Sequence, residues 1–354
     1  MRDVAVIAFA QAPNRADTGG VNDVEILMPV IDEAVTVAGI DRKQIGFTCS
    51  GSSDYLAGQP FSFVMGLDAV GPWPPITESH VEMDGAWALY EAWTRLQHGD
   101  LDSALVYAFG KSSMGDLGRI LALQLDPYTT GPLWPGPVNL AGLQARAYLE
   151  KTGRTERDFA EVAARSRRDA KGNPAAQVKG DVAVDDLLQE PYVSSPLRAH
   201  DCPPISDGAS ALVLAAGDVA REHCARPAWI RGIDHRIEAH SLGLRDLTTS
   251  VSTALAGQKA GVADGPVDVA ELHAPYTHQE LILREALGLN GDTAVNPSGG
   301  ALSGNPMMSA GLARIGEAAR RIIDGSAHRA VAHATSGPCL QQNLVAVLEA
   351  GEGS

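Results

Sequence analysis

The chain is short of basic residues, of cysteines and of long apolar runs, and each shortage removes a class of function. Over 354 residues, 28 Lys and Arg stand against 43 Asp and Glu, a net charge of −15, with no dense Lys/Arg run. A nucleic-acid partner needs a basic footprint and an anionic membrane repels an acidic surface, so neither is expected. An anionic substrate stays open, because the charge of a cleft is not set by the total. The four cysteines, Cys49, Cys202, Cys224 and Cys339, are scattered without paired ligand spacing. That pattern gives no zinc signature and suits reduced thiols, so the expectations are no metal site and a cytoplasmic location. No charged-then-apolar leader opens the sequence, and no uninterrupted apolar stretch reaches the ~20 residues of a membrane span.

What is present is an alternation. Short apolar runs ending in Gly, Ser or Asn alternate with amphipathic helix patterns, which predicts an α/β architecture. Val4–Ala10 reads as a strand, and Asp23–Ala38 as a helix with Ile26, Leu27, Val30, Ile31 and Ala34 on one face. Ile45–Cys49 and Ala104–Phe109 read as strands around a helix over Gly85–His98. Between Arg119 and Pro196 the texture changes to Pro-rich loop, two helices (Leu140–Lys151 and Glu156–Ala170) and an acidic segment, which predicts an insertion outside the sheet. The core resumes with Ser206–Ala215, and a second half begins near Ala228. There Pro266–Leu272, Arg329–His333 and Asn343–Glu349 read as strands, Gln279–Leu287 and Met307–Ile323 as helices. Each half runs strand–helix–strand–helix–strand. The expected division is 1–222, with an inserted loop domain at about 119–196, and 227–351; duplication is expected from the pattern, although no residue-level repeat accompanies it.

Chemistry-bearing residues collect in the loops after these elements. The most specific run is Val295-Asn296-Pro297-Ser298-Gly299-Gly300-Ala301-Leu302-Ser303-Gly304-Asn305-Pro306. With it, in order, come Asn173-Pro174-Ala175, Pro196-Leu197-Arg198, Ser206-Asp207-Gly208-Ala209 and Glu271-Leu272-His273. Together these motifs resemble the thiolase superfamily, in its sterol-carrier-protein-x and lipid-transfer-protein branch, over nearly the whole length. The resemblance implies a thiolase fold: two duplicated βαβαβ halves in a layered αβαβα arrangement with an inserted loop domain. It also implies at least a dimer, homomeric or with a related thiolase-like chain.

In that family four loops meet at one site, and this sequence departs from the pattern in each. The nucleophilic cysteine stands three residues before a glycine that opens a buried helix; the matching glycine is Gly85, which puts Glu82 at the cysteine position. The H-D-C-F loop of the branch becomes His273-Ala274-Pro275-Tyr276, G-H-P becomes Gly304-Asn305-Pro306, and the acid/base cysteine position falls on Ser336 or Gly337 rather than Cys339. Glu82 cannot hold an acyl group as a thioester and Asn305 cannot take a proton, so a working thiolase is not expected. Some members of the branch resemble steroid aldolases, which split a β-hydroxyacyl-CoA by retro-aldol reaction without a covalent intermediate. The expected activity is therefore a carbon–carbon lyase on an acyl-CoA thioester bearing a steroid side chain; the alternative is a catalytically silent subunit supporting an active partner. Coenzyme A enters only as part of the substrate, and no covalently bound cofactor is expected. The resemblance further implies a small OB-fold/zinc-ribbon acyl-CoA-binding accessory protein, supplied by another chain.

The candidate catalytic residues are Glu82 as base, Tyr276 and His278 for proton transfer, and Asn305 as donor to the thioester oxygen. His273, Ser298, Gly299, Gly300, Ser336 and Gly337 are the candidate substrate-binding residues. Structural readings stand beside them. Tyr276 serves as wall packing, Asp84 as helix cap, His80 as a structural histidine and Cys339 as a buried thiol.

Overall fold

The computed structural model describes residues 1–351. The first half holds β1 (Val4–Gln11), α1 (Asp23–Ala38), β2 (Phe47–Gly51), α2 (Asp54–Ala57), α3 (Phe63–Val70), β3 (Glu78–Val81), α4 (Gly85–Gln97) and β4 (Ser103–Lys111). A long excursion follows: α5 (Leu117–Leu123), α6 (Pro137–Thr152), α7 (Glu156–Asp169), α8 (Val184–Leu187) and the ribbon β5 (Tyr192–Ser194) with β6 (Leu197–Arg198). The chain returns through β7 (Asp207–Ala216) and α9 (Gly217–His223). The second half is β8 (Ala228–Ile237), α10 (Val251–Ala260), β9 (Val269–Leu272), α11 (Thr277–Ala286), β10 (Ala294–Val295), α12 (Ala310–Ile323), β11 (Arg329–Ser336) and β12 (Gln342–Glu349).

Over these residues the main strands pair in the order β10-β9-β11-β12-β8-β1-β7-β4-β2-β3. Within each half the order is the same. The inner strand (β9 or β2) is parallel to both of its neighbours, and the remaining pairings are antiparallel. β1 meets β8 antiparallel at Ala5–Trp229 and Val6–Ala228, which joins the halves. The duplication that the sequence carried only as a pattern is a repeated topology.

Strand side chains alternate between faces, and here the alternation divides the core into layers. Val4 and Val6, Leu212 and Leu214, and Leu344, Ala346 and Leu348 enter a central core with α4 and α12. Their alternates Ala5, Ile7, Ala211 and Val213 pack instead with Ile26, Leu27, Val30 and Ile31 of α1. On the far side Val345 and Val347 join Ala256 of α10 and Ile282 of α11. Helix, sheet, helix, sheet, helix is the resulting order, as the family resemblance implies.

The two central helices are buried on nearly every side, so their interface admits only small residues at its closest points. A Cβ on Gly85 would lie 2.6 Å from the Ala108 Cβ and 2.8 Å from a Leu312 methyl. α12 starts at Ala310 rather than at Met307: Met308 has φ 68°, left-handed backbone that cannot propagate a helix. The excursion is no detached appendage. Tyr148 and Phe159 lie in one apolar cluster with Leu272 and Ile282, so α6 and α7 rest on the second half.

Candidate active site

The loops that follow the parallel strands of both halves converge on one cleft, as expected for α/β sheets, whose ligands sit beyond the carboxyl ends of the strands. β3 leads to Glu82, β9 to His273–Gln279, β10 to Asn305–Met308 and β11 to Thr335–Leu340; all contribute to the wall of a cavity of about 320 Å³. The excursion closes the opposite side with Leu121, Leu125, Val138 and Leu140. The chamber is apolar, with a short row of polar groups along one side.

Asp84 anchors that row. Its carboxylate accepts from the Ala86 amide in α4 and from Gly311 and Leu312 in α12, each at 2.9 Å. It thus caps two helices at once. Burial pushes it up to about 6 against the pull of those amides. The structural reading of Asp84 therefore holds, although one edge of it reaches the cleft. Glu82, two residues earlier, is exposed on the cleft wall and accepts from the Asp54 amide at 2.7 Å. Asp54 in turn accepts from the Phe61 and Ser62 amides and fixes the loop before α3. His80 stacks on Phe63 and lies 3.6 Å from Glu78, so it does not orient Glu82.

His273 and Asn305 form a second unit. The Thr335 amide donates to Nδ1 of His273 at 3.4 Å, so Nε2 carries the proton and donates to Oδ1 of Asn305 at 2.9 Å. Burial lowers His273 to about 4, which keeps the ring neutral. Ser206 Oγ accepts from the Asn305 amide at 3.0 Å. With its oxygen spent on His273, Asn305 presents Nδ2 on the cleft wall without a side-chain partner among the described residues. His273 thus lines the cleft with both ring nitrogens occupied, and its bond orients Asn305.

Tyr276 stands at the N-terminus of α11, partly buried against the cleft, with no hydrogen bond to its hydroxyl among the described residues. Burial, with Cys202 and Cys339 nearby, pushes the phenol well above its ordinary value, so it stays protonated. Ser336 and Gly337 also line the cleft. Cys339 lies on the same wall, but its thiol donates to the Leu140 carbonyl at 3.5 Å and burial pushes it up to about 12. Cys202 is likewise pushed up to about 12, so neither sulfur is a thiolate at neutral pH.

Four candidates fall outside the cleft. His278 is wholly buried, packs near the Phe159 ring, and donates from Nε2 to Gln144 at 3.1 Å. Its ring centroid lies 6.0 Å from that of Tyr276, tilted by 32°, so it packs against Tyr276 without lining the cleft. Ser298, Gly299 and Gly300 are structural. The Ser298 amide and hydroxyl donate to the fully buried Glu271 at 3.0 and 2.6 Å, and Glu271 pairs with the buried Arg314 at 2.9 Å. The Gly299 carbonyl accepts from Ser166 at 2.6 Å, and a Cβ on Gly299 would lie 2.6 Å from Ala170. Met83, Met307, Gln279 and Cys202 line the cleft unforeseen; of these only Gln279, one turn beyond Tyr276, carried a signal.

No family model matches the chain. Among curated proteins it is 27% identical to acetyl-CoA acetyltransferase of Methanocaldococcus jannaschii, over 90% of this chain and 89% of that one. It is 27% identical to sterol carrier protein 2 of Gallus gallus, over 85% of this chain and 63% of the relative. Over most of its length the chain is thus similar to acetyl-CoA acetyltransferases and to sterol carrier protein 2. Several of its curated relatives are longer than the match, which spans 57% to 63% of their length. Among solved structures, the Ltp2-ChsH2(DUF35) aldolase superposes with TM-score 0.83 at 20% identity, covering 99% and 98% of the two chains. The acetyl-CoA acetyltransferase of Bacillus anthracis superposes with TM-score 0.81 at 17% identity, covering 99% of each. The fold is thus that of the thiolases. Within it, no cysteine occupies position 82 and no histidine occupies position 305. Among the described residues no helix is long and apolar enough to cross a membrane.

Proposed function

We propose that the chain is an aldol lyase that cleaves a β-hydroxyacyl-CoA thioester carrying a bulky apolar, steroid-type acyl group, giving a ketone or aldehyde and a shorter acyl-CoA. The observation that carries this reading is the Asn305 amide. His273 fixes its orientation, its donor faces an apolar chamber, and the nearby thiols are held neutral. A thioester enolate needs such a preplaced donor, whereas acyl transfer needs a thiolate.

The atoms balance without a covalent enzyme intermediate. Glu82 takes the proton of the β-hydroxyl; the C–O bond becomes a carbonyl as the Cα–Cβ pair moves into the thioester enolate. Asn305 donates to the enolate oxygen, and Tyr276, protonated, delivers a proton to Cα. The Glu82 carboxyl then returns its proton to Tyr276 through the cleft. The apolar lining contributed by Leu121, Leu125, Val138 and Leu140 suits a hydrocarbon body, and coenzyme A enters only as part of the substrate. The superposing aldolase is named as a two-component assembly, which supports an accessory partner; the reading takes that partner to be an acyl-CoA-binding protein with an OB fold and zinc ribbon, and the chain to form a homodimer or a dimer with a related chain.

The test is product release. The purified chain, alone and with such an accessory protein, is incubated with β-hydroxyacyl-CoA thioesters, and carbonyl product and shortened acyl-CoA are quantified by mass spectrometry. Release of both in equal amounts is expected. An acylated enzyme at Cys339, or activity seen only through a partner's own site, overturns the reading; the latter result identifies a silent supporting subunit.

A further inference from the structure

We infer that Gln144, on the excursion helix α6, is a positioning residue that transmits binding of the acyl group to the Tyr276 loop; the inference rests on the aldolase reading of this cleft. Leu140 and Ala141 line the chamber, and Gln144 lies four and three residues on from them, one turn along the same helix face. It is fully buried. Its Oε1 accepts from Gln279 Nε2 at 2.9 Å and from His278 Nε2 at 3.1 Å. Its Nε2 donates to the Leu247 carbonyl at 3.0 Å and to the Cys339 carbonyl at 3.4 Å. Both lone pairs and both protons of one amide are therefore used, which leaves it a single orientation.

These four bonds tie α6 to three other segments, two of which, those of Gln279 and Cys339, border the cleft. Gln279 in turn accepts from the Tyr276 amide at 3.4 Å, so the chain of contacts ends on the backbone that carries the phenol. Cys339 follows Ser336 and Gly337 in the turn after β11. An acyl group pressed against Leu140 and Ala141 bears on the same rigid helix that holds both loops. His278, read from sequence as a proton carrier, acts here through Gln144; its Nδ1 is buried without a partner, as fits a neutral ring locked by one bond.

The test uses Gln144→Met, close in size without the amide, and Gln144→Glu, which keeps an acceptor for His278 and Gln279. Turnover of a β-hydroxyacyl-CoA and amide hydrogen exchange, with and without a non-cleavable acyl-CoA thioester, are measured on each. For Gln144→Met, kcat falls about 100-fold while KM stays within about threefold, since a displaced loop costs geometry rather than binding. The thioester still protects α6 from exchange but no longer protects Tyr276–Gln279, and Gln144→Glu recovers part of both effects. Unchanged kcat in Gln144→Met, or loop protection that persists, overturns the inference. A wild type with no turnover, whose loop protection is nonetheless lost in Gln144→Met, removes the aldolase reading and keeps the coupling.

Discussion

Replacing Asn305 separates its two duties. In Asn305→Ala the cleft loses the only side-chain donor that His273 holds toward it, and the buried His273 Nε2–H loses its acceptor at 2.9 Å. A preplaced oxyanion donor is worth about 2.7–4 kcal/mol, or about 10²–10³ in kcat. A buried donor left unpaired costs about 1–3 kcal/mol of stability. Asn305→Ala is therefore expected to lose both turnover and several degrees of Tm. Asn305→Asp keeps an oxygen for His273 but sets a second oxygen where Nδ2 stood, against the developing enolate. Its turnover falls at least as far, while its Tm stays closer to wild type because the buried bond survives. The assay is initial-rate release of the carbonyl product, with thermal unfolding measured on the same preparations. Asn305→Asp within tenfold of the wild-type kcat/KM would refute the donor role and with it the proposed enolate chemistry.

Other expectations follow from the same geometry. Glu82→Gln and Tyr276→Phe each leave the cleft shape intact and are expected to lower kcat by about 10²–10⁴, the range of general acid–base catalysis; near-wild-type rates in either would remove that residue from the mechanism. Arg314→Met strands the fully buried Glu271 without its cation and is expected to cost about 3–5 kcal/mol in denaturant unfolding, with Glu271→Gln/Arg314→Met recovering part of the loss. Burial holds His273, His278 and His333 at about 4, 3 and 3, below the ordinary histidine value. Between those values and ~6.5 the unfolded chain binds more protons than the native one, so stability is full above ~6.5 and is lost as pH falls toward 4. A Tm flat between pH 7 and pH 4 would contradict that.

The strands and helices were legible because their periods differ, and the family motifs supplied the order of the loops. Which face each loop residue presents was not legible. Tyr276 and His278 look like a pair when Ala274–His278 is read as loop. Once α11 begins at Thr277, the His278 ring is buried 6.0 Å from that of Tyr276 and spends its Nε2 on Gln144, and Gln279 takes the Tyr276 amide. The Ser298-Gly299-Gly300 run reads as a place for close backbone approach, and it is one. What approaches is Ala170 and Ser166 of the excursion, and Ser298 is spoken for by Glu271 and Arg314. Those partners lie far apart in sequence and are assembled only by the topology.

The doubled fold also bears on why oxygen chemistry suits this cleft. The repeated order of the two halves brings the N-termini of α4 and α12 face to face, each a source of partial positive charge that favours an anion. In this chain that field is met at once by Asp84, whose carboxylate takes amides from both helices. A sulfur at position 82 would have to keep its thiolate two residues from a carboxylate that already uses those donors. The exposed carboxylate of Glu82 lies outside that arrangement and receives a donor from the Asp54 amide instead. The neutral, fixed Asn305 amide then supplies what the helices do not, a donor aimed into the chamber itself.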